Sequence, residues 1–458
     1  MKFSKFFLVF VLFALITCDD SQRYTRRDYI KVHNSDAGDG LGEGGIAIQG
    51  GLMVVGSPHE ASSKGGVNPP NSGSDNNTRN SGAAYLFFKN ESGYWQQGAF
   101  MKAGIPMQGA NFGASVAIQG NYILVGAPYE NYSSSVPGAG AVYVYYYDPQ
   151  TRVLDWVHTI IPVEPQANAH FGSSITVYDT WLAIGAPQHD IVVNNYTIFD
   201  SGRTYLFEKW PTARWFTHRA TLDSPYIDQS KYFGNSVSMS GRRLVVGSPI
   251  GDYAAIHIYE RDDAGAWSLK RSLINQYGGH FGSSVAIDGD IIVVGAPNYD
   301  APRGSGTAPG AGVAFTYKFT NGDWQREAMV YPVYPDTDDN FGGKVAISGN
   351  LIAVGALLED SAVEDYGYQD NNNAPNSGAV FIFERKESNG TVTWDLDYML
   401  KGTVIEAGDL YGSSVGISGS TIAIGASGED GGGTGINGDP ADNSKSGSGA
   451  AFVVERTQ

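Results

Sequence analysis

Three histidines and one serine motif are the places in this chain where chemistry could sit. His170 and His280 each stand directly before a Phe-Gly pair, and His189 follows a Gly-Ala-Pro. A loop histidine of this kind can serve as a general base or a zinc ligand. Gly412-Ser413-Ser414-Val415-Gly416 has the G-x-S-x-G form of a serine nucleophile. That motif works on a sharp strand-to-helix turn, whereas here it lies on an apolar run that reads as a strand. The chain contains no H-E-x-x-H and no phosphate-binding loop. The expectation is a protein with no catalytic residues, and a hydrolase using loop side chains is the lesser alternative.

The carboxylates offer metal chemistry next. Asp336-x-Asp338-x-Asn340 begins like a calcium loop, but Phe341 occupies the place where the turn needs glycine. Gly432 to Asn437 matches one turn of a calcium β-roll, and a single copy has nothing to stack on. Calcium held by Asp365, Asp370, Asp439 and Asp442 stays open, and no cofactor is certain. An acidic residue follows the Gly-Ala-Pro position in each unit: Glu60, Glu130, Asp190, Asp252, Asp300, Asp360 and Asp430. These either ring a channel mouth and draw a cation or basic ligand, or cap turns by accepting backbone N–H groups. Recurrence in every unit favours the caps.

Tyr129, Tyr132, Tyr196, Tyr253, Tyr299, Tyr366 and Tyr368 share those loops. Exposed tyrosine is a common anchor for protein or sugar partners. Together with Glu130, Asp190, Asp252, Asp300 and Asp360, all of them but Tyr368 make up the expected ligand-binding face. Asn76, Asn90, Asn131, Asn195 and Asn389 sit in N-x-[ST] sequons and are glycosylation candidates in a eukaryotic host.

The elements that must carry these loops are repeats. Seven times a Phe-Gly, Leu-Gly or Tyr-Gly pair opens an apolar run that closes on Gly-Ala-Pro or a near copy, starting at Leu41, Phe112, Phe171, Phe233, Phe281, Phe341 and Tyr411. Two apolar runs joined by a short turn such as Gln119-Gly120-Asn121 form a hairpin. A third run such as Gly140 to Tyr145 and a fourth such as Trp156 to Ile161 complete four strands in about 60 residues, the size of a propeller blade. Trp95, Trp156, Trp215, Trp267, Trp324 and Trp394 lead the fourth strands and read as packing between blades. Six such strands serve seven hairpins. Tyr24 to Val32 aligns with Trp95 to Ala103, with Tyr24 in the tryptophan's place. The N-terminal strand therefore completes the last blade and removes two open edges. The fold class is all-β: a seven-bladed β-propeller with four antiparallel strands per blade.

The Phe-Gly to Gly-Ala-Pro unit resembles the FG-GAP repeat of the seven-bladed propeller at the head of integrin α chains, from Tyr24 to Arg456. The resemblance implies a recognition face on the side of the long loops between strands two and three. It implies no metal site on any residue here. The family's calcium loops lie between strands one and two, where this chain has only turns such as Ser240-Gly241-Arg242 and Asp288-Gly289-Asp290. These are too short and too poor in oxygen for calcium.

Bulk properties set the context. Net charge is -17 over 458 residues, which argues against nucleic acid and anionic lipid surfaces as partners. Lys2 and Lys5 precede an apolar run from Phe6 to Ile16, the pattern of a secretory signal. Residues 1–20 read as a signal peptide and 21–458 as the propeller, with no further run long enough to span a bilayer. Cys18 is the only cysteine; cleavage beyond it removes the one thiol, and in a bacterium it is the alternative lipid anchor. The expected protein is secreted and binds an extracellular protein, as in adhesion. The alternative is a lectin-like propeller binding glycan.

Overall fold

The computed structural model describes residues 23–70, 75–210, 212–251, 253–275, 278–363 and 371–457. The signal segment with Cys18, and Asp252, Asp365, Tyr366, Tyr368 and Asp370, lie outside the described residues. Every regular element described is a β-strand, and no described helix is long and apolar enough to cross a membrane.

Seven antiparallel sheets of four strands, each innermost strand first, make the blades of a propeller. Blade one is Ile46–Gln49, Leu52–Ser57, Ala83–Lys89 and Trp95–Lys102, and a two-residue strand, Gly66–Val67, covers its outer edge. The second strands are the most apolar, as in Trp181–Ala186 and Ile291–Ala296, where every residue is buried. Neighbouring blades press on both faces of such a strand, so it reads as a continuous apolar run without alternation. The buried side chains fall into seven clusters, each shared by two neighbouring blades. Phe112, Phe171, Phe233, Phe281 and Phe341 are almost fully buried in them, and each such burial is worth about 1.5–3 kcal/mol.

The glycines of the repeat mark close contact between blades. Gly113 has φ 94°, and a Cβ there would strike the carbonyl of Ala83 in blade one. A Cβ on Gly56 would strike the carbonyl of Gly113 in turn. A side chain at either place would push the blades apart. The serine two residues beyond the Phe-Gly glycine fastens the contact: Ser115 Oγ donates to the Gly172 carbonyl at 2.6 Å and Ser174 Oγ to that of Gly234 at 2.7 Å. Ser414 belongs to this set. Its buried hydroxyl donates to the Gly42 carbonyl at 2.6 Å, so the G-x-S-x-G match is a blade joint.

The last blade closes as the strand count requires. Tyr24–Ile30 pairs antiparallel with Ala450–Arg456, Tyr24 opposite Arg456 and Ile30 opposite Ala451. Tyr24 is buried and donates to Asp397 at 2.6 Å; Asp397 also takes Arg456 at 3.0 Å. The Gly432 to Asn437 segment supports this strand from outside. Asn437 exchanges hydrogen bonds with Tyr29, and its Nδ2 donates to Asp28 at 3.0 Å. A stretch that resembled a β-roll turn thus covers the edge of the closing strand.

The tryptophans need a correction. Trp95, Trp324 and Trp394 are buried where expected, and Trp267 packs at 5.5 Å on Trp181. Trp156 and Trp215 are exposed. Strand register puts Leu154 and Phe216 in the buried place, since Tyr147 pairs with Leu154 and Lys209 with Phe216 as Lys89 pairs with Trp95. Matching by residue type was two residues out in blade two and one residue out in blade three.

Three links between blades carry a buried aspartate. Asp39, Asp339 and Asp409 accept the backbone N–H groups of Asp36, Asp336 and Glu406 at 2.7–3.0 Å. Burial pushes their pKa values up from 3.8 to about 7, about 8 and about 7. Each binds a proton more tightly folded than unfolded. Their contribution is therefore fully favourable below the unfolded value and is lost as pH rises through 7 to 8. The midpoint of thermal unfolding should fall between about pH 5 and about pH 8, and a triple Asp39→Asn, Asp339→Asn, Asp409→Asn variant should lose that part of the slope in calorimetry.

Candidate functional site

Antiparallel order places the strand-two-to-three loops and the links from outer strand to next blade on one side of the ring. The short hairpin turns lie on the other side. The long-loop side is where the described members of the expected binding set stand.

Among the described residues Tyr196 is the most exposed tyrosine of this side, at 75%. It sits on a small ribbon, Ile191–Val193 paired with Tyr196–Ile198, turned by Asn194 and Asn195 at φ 52° and 68°. Two asparagines at positive φ are the chemistry of a two-residue hairpin turn. Blade five carries a matching ribbon, Ala301–Arg303 with Gly306–Ala308. Neither ribbon was expected. Tyr132 and Tyr253 are also exposed, and Tyr129 leans on His170 with ring centres 4.3 Å apart. Tyr299 departs from expectation: it turns inward and packs on Phe315 at 5.7 Å. Val192, Phe199, Tyr226 and Ile227 add exposed apolar surface that the sequence reading passed over.

The acidic series divides into two structural positions. Asp190, Asp300, Asp360 and Asp430 accept the N–H groups of Asp200, Gly310, Asn376 and Gly447 at 2.6–3.0 Å. They cap their loops, and in blade two Asn131 does the same for Gly138 at 2.9 Å. Glu60 and Glu130 lie one residue earlier, three past the end of the second strand, together with Glu359 and Glu429. Glu60, Glu359 and Glu429 face Lys102, Lys401 and Lys31, each lysine 1% exposed or less. Burial lowers the pKa of all three lysines, and the facing glutamates oppose that. These pairs fasten the loop side of blades six, seven and one. Asp439 and Asp442 accept the N–H groups of Ala441 and Ser444 within their own loop. Among the described residues no three His, Cys, Asp or Glu side chains stand close enough to hold a metal ion.

The histidines are not brought together. His170 and His280 have φ 56°, as does Leu410, and Asn111, Tyr232 and Asn340 have φ 52–63° in the same place before the repeat's aromatic. Their position is a left-handed corner of the backbone, common to the blades. His189 is buried at the glutamate position of blade three, and burial with Arg203 nearby lowers its pKa to about 4. It stays neutral near pH 7.

Two cavities open among the exposed residues. One, of about 520 Å³, lies at the short loop of blade four and is lined by Tyr226, Ile227, Asp228, Lys231, Tyr253 and Ile274. Another, of about 390 Å³, lies between blades one and two and includes Glu130, Tyr143, Tyr145 and Trp156. Of the sequon asparagines, Asn76, Asn131, Asn195 and Asn389 are exposed and Asn90 is half-buried in a turn.

The FG-GAP repeat family model matches residues 95–145, 276–313 and 324–383. No curated protein sequence matches the chain. Solved structures similar to it include a candidate 6-phosphogluconolactonase from Bacteroides uniformis, at 10% identity and TM-score 0.47 over 84% of this chain and 98% of that one. Saccharomyces cerevisiae Sqt1 is similar at 10% identity and TM-score 0.47 over 94% and 98%. Seven hairpins that run from a Phe-Gly-type pair to Gly-Ala-Pro close into one ring, a seven-bladed β-propeller, and the FG-GAP repeat model matches three stretches of it.

Proposed function

We propose that this protein is a secreted, non-catalytic binding protein that recognises an extracellular protein through the long-loop side of blades two to four. One observation carries the reading. Tyr129, Tyr132, Tyr196, Phe199, Tyr226 and Tyr253 are all exposed on that side of three adjacent blades. Rigid aromatic side chains on a fixed scaffold supply contact area at little entropic cost. Blades six, seven and one instead each spend a loop-side lysine and glutamate on a buried pair within the blade. Delivery outside the cell rests on the signal pattern of residues 1–20.

The expected result of Tyr132→Ser, Tyr196→Ser and Tyr253→Ser combined is an unchanged unfolding midpoint with capture of a cell-surface partner weakened about tenfold or more. Equal capture by the variant would refute this face. Carbohydrate is the second reading, favoured by Trp156 standing 57% exposed at the mouth of a cavity between blades. Saturable binding on a glycan array, lost with Trp156→Ala, would replace the protein ligand by a sugar.

A further inference from the structure

Three blades answer one electrostatic problem in one way. Lys401 Nζ reaches Glu359 at 2.5 Å and Ser377 Oγ at 2.7 Å. Lys31 Nζ reaches Glu429 at 2.9 Å, Ser448 Oγ at 2.6 Å and the Gly449 carbonyl at 2.6 Å. Lys102 Nζ reaches Glu60, and Ser81 Oγ at 2.8 Å. In each, a glutamate three residues past the second strand, a serine just before the third strand's glycine and a lysine at the end of the outer strand enclose one ammonium group.

Blade two keeps the glutamate and lacks the other two. Val142 pairs with Ile160 as Ala84 pairs with Met101 and Val380 with Leu400. The lysine position is therefore Ile161, which is exposed, and the serine position before Gly140 is Ala139. Both oxygens of Glu130 accept from the Tyr143 hydroxyl, at 2.8 and 2.9 Å. No lysine, arginine or histidine among the described residues pairs with this half-buried carboxylate. Burial raises its pKa. Beside this carboxylate a cavity of about 390 Å³ opens, lined by Glu130, Tyr143, Tyr145, Trp156 and Ile105. Lys102 also borders it, but its charge is engaged by Glu60. An anionic site walled by aromatic faces is suited to a cation, through Coulomb attraction and cation–π contact.

We propose that this cavity binds a primary ammonium on a short aliphatic stem, the end of a lysine side chain presented by the partner protein. The ammonium meets Glu130, and the stem lies along Trp156 and Ile105. This rests on the protein-binding reading and names the group through which the partner engages.

The test titrates the full mature chain with n-butylammonium and with Nα-acetyl-lysine amide, using n-butanol and a methyl glycoside as neutral probes. Both amines should bind saturably and compete, and the neutral probes should not. Glu130→Gln should weaken the amines about tenfold or more, since it removes the charged partner while keeping the shape. Ala139→Ser with Ile161→Lys should build the fourth internal cluster and abolish amine binding with the unfolding midpoint equal or higher, which separates occupancy from misfolding. Amines that bind wild type and Glu130→Gln alike, or do not bind, would overturn the proposal, as would displacement by the glycoside. Partner capture distinguishes the two readings. Capture lost when the partner's lysines are acetylated supports the proposal, whereas capture untouched by acetylation and by Glu130→Gln overturns it and leaves the protein-binding reading standing. No capture by wild type sinks that reading instead.

Discussion

A chain that begins at residue 33 should lose cooperative unfolding and aggregate. Removing Tyr24–Ile30 strips Tyr24, Tyr29 and Ile30 from the clusters joining blades six, seven and one. At about 1.5–3 kcal/mol for each buried side chain, the loss rivals the 5–15 kcal/mol that is the usual total for a folded protein, to order of magnitude. It also leaves Ala450–Arg456 as an open edge, ready to pair with another chain. A synthetic peptide of residues 21–33 should restore a single unfolding transition in calorimetry. Normal cooperativity without the peptide would show that the ring closes by other means.

Glu429→Ala is the second large effect, a loss of about 3–5 kcal/mol in chemical denaturation. Glu429 accepts from Tyr29 Oη at 2.7 Å, Lys31 Nζ at 2.9 Å and Gly431 N at 3.0 Å. Tyr29 lies on the N-terminal strand and Lys31 directly follows it, so this one carboxylate ties the first strand to the rest of the last blade. The alanine leaves Lys31, fully buried, without its counter-charge. The double variant Lys31→Met with Glu429→Leu should lose less than Glu429→Ala alone, because no charge is then left unpaired inside. Equal losses for the two would mean that packing, and not charge, decides the effect.

The ring was legible because its signals repeat. The Phe-Gly and Gly-Ala-Pro glycines stand where blades touch, and a blade contact recurs at a fixed interval along the chain. The closing strand was legible through an odd count, and the burial of Tyr24 in the tryptophan place bears out that alignment. Trp156 was misread because residue type does not mark register: the outer-strand bulge sits at the same place in blades one, two and three, and the pairing of Leu154 with Tyr147, two residues before Trp156, shows only in the sheet. Glu60 and Glu130 were merged with Asp190 and Asp300 for a similar reason. A one-residue offset becomes visible only when the end of the second strand is known, and it separates an ion-pair position from a turn cap. The lysine clusters had a sequence signal in Lys31, Lys102 and Lys401, each at the end of a fourth strand, with Ser-Gly before the third strands of the same three blades. It went unread because each lysine and its partners lie between 21 and 418 residues apart along the chain. The ribbon carrying Tyr196 had its signal too, in Asn194-Asn195 between the strand-forming runs Ile191-Val192-Val193 and Tyr196-Thr197-Ile198.

The central claim is a division of labour around the ring, with blades six, seven and one sealed by their own charges and blades two to four left open to a partner. Hydroxyl-radical footprinting of the mature protein, alone and in complex with cell-surface extract of the source organism, measures this most directly. Protection confined to Tyr132, Trp156, Tyr196 and Tyr253 is the result expected. Protection centred on the loops of blades six, seven and one, with those four side chains as reactive as in the free protein, would contradict it.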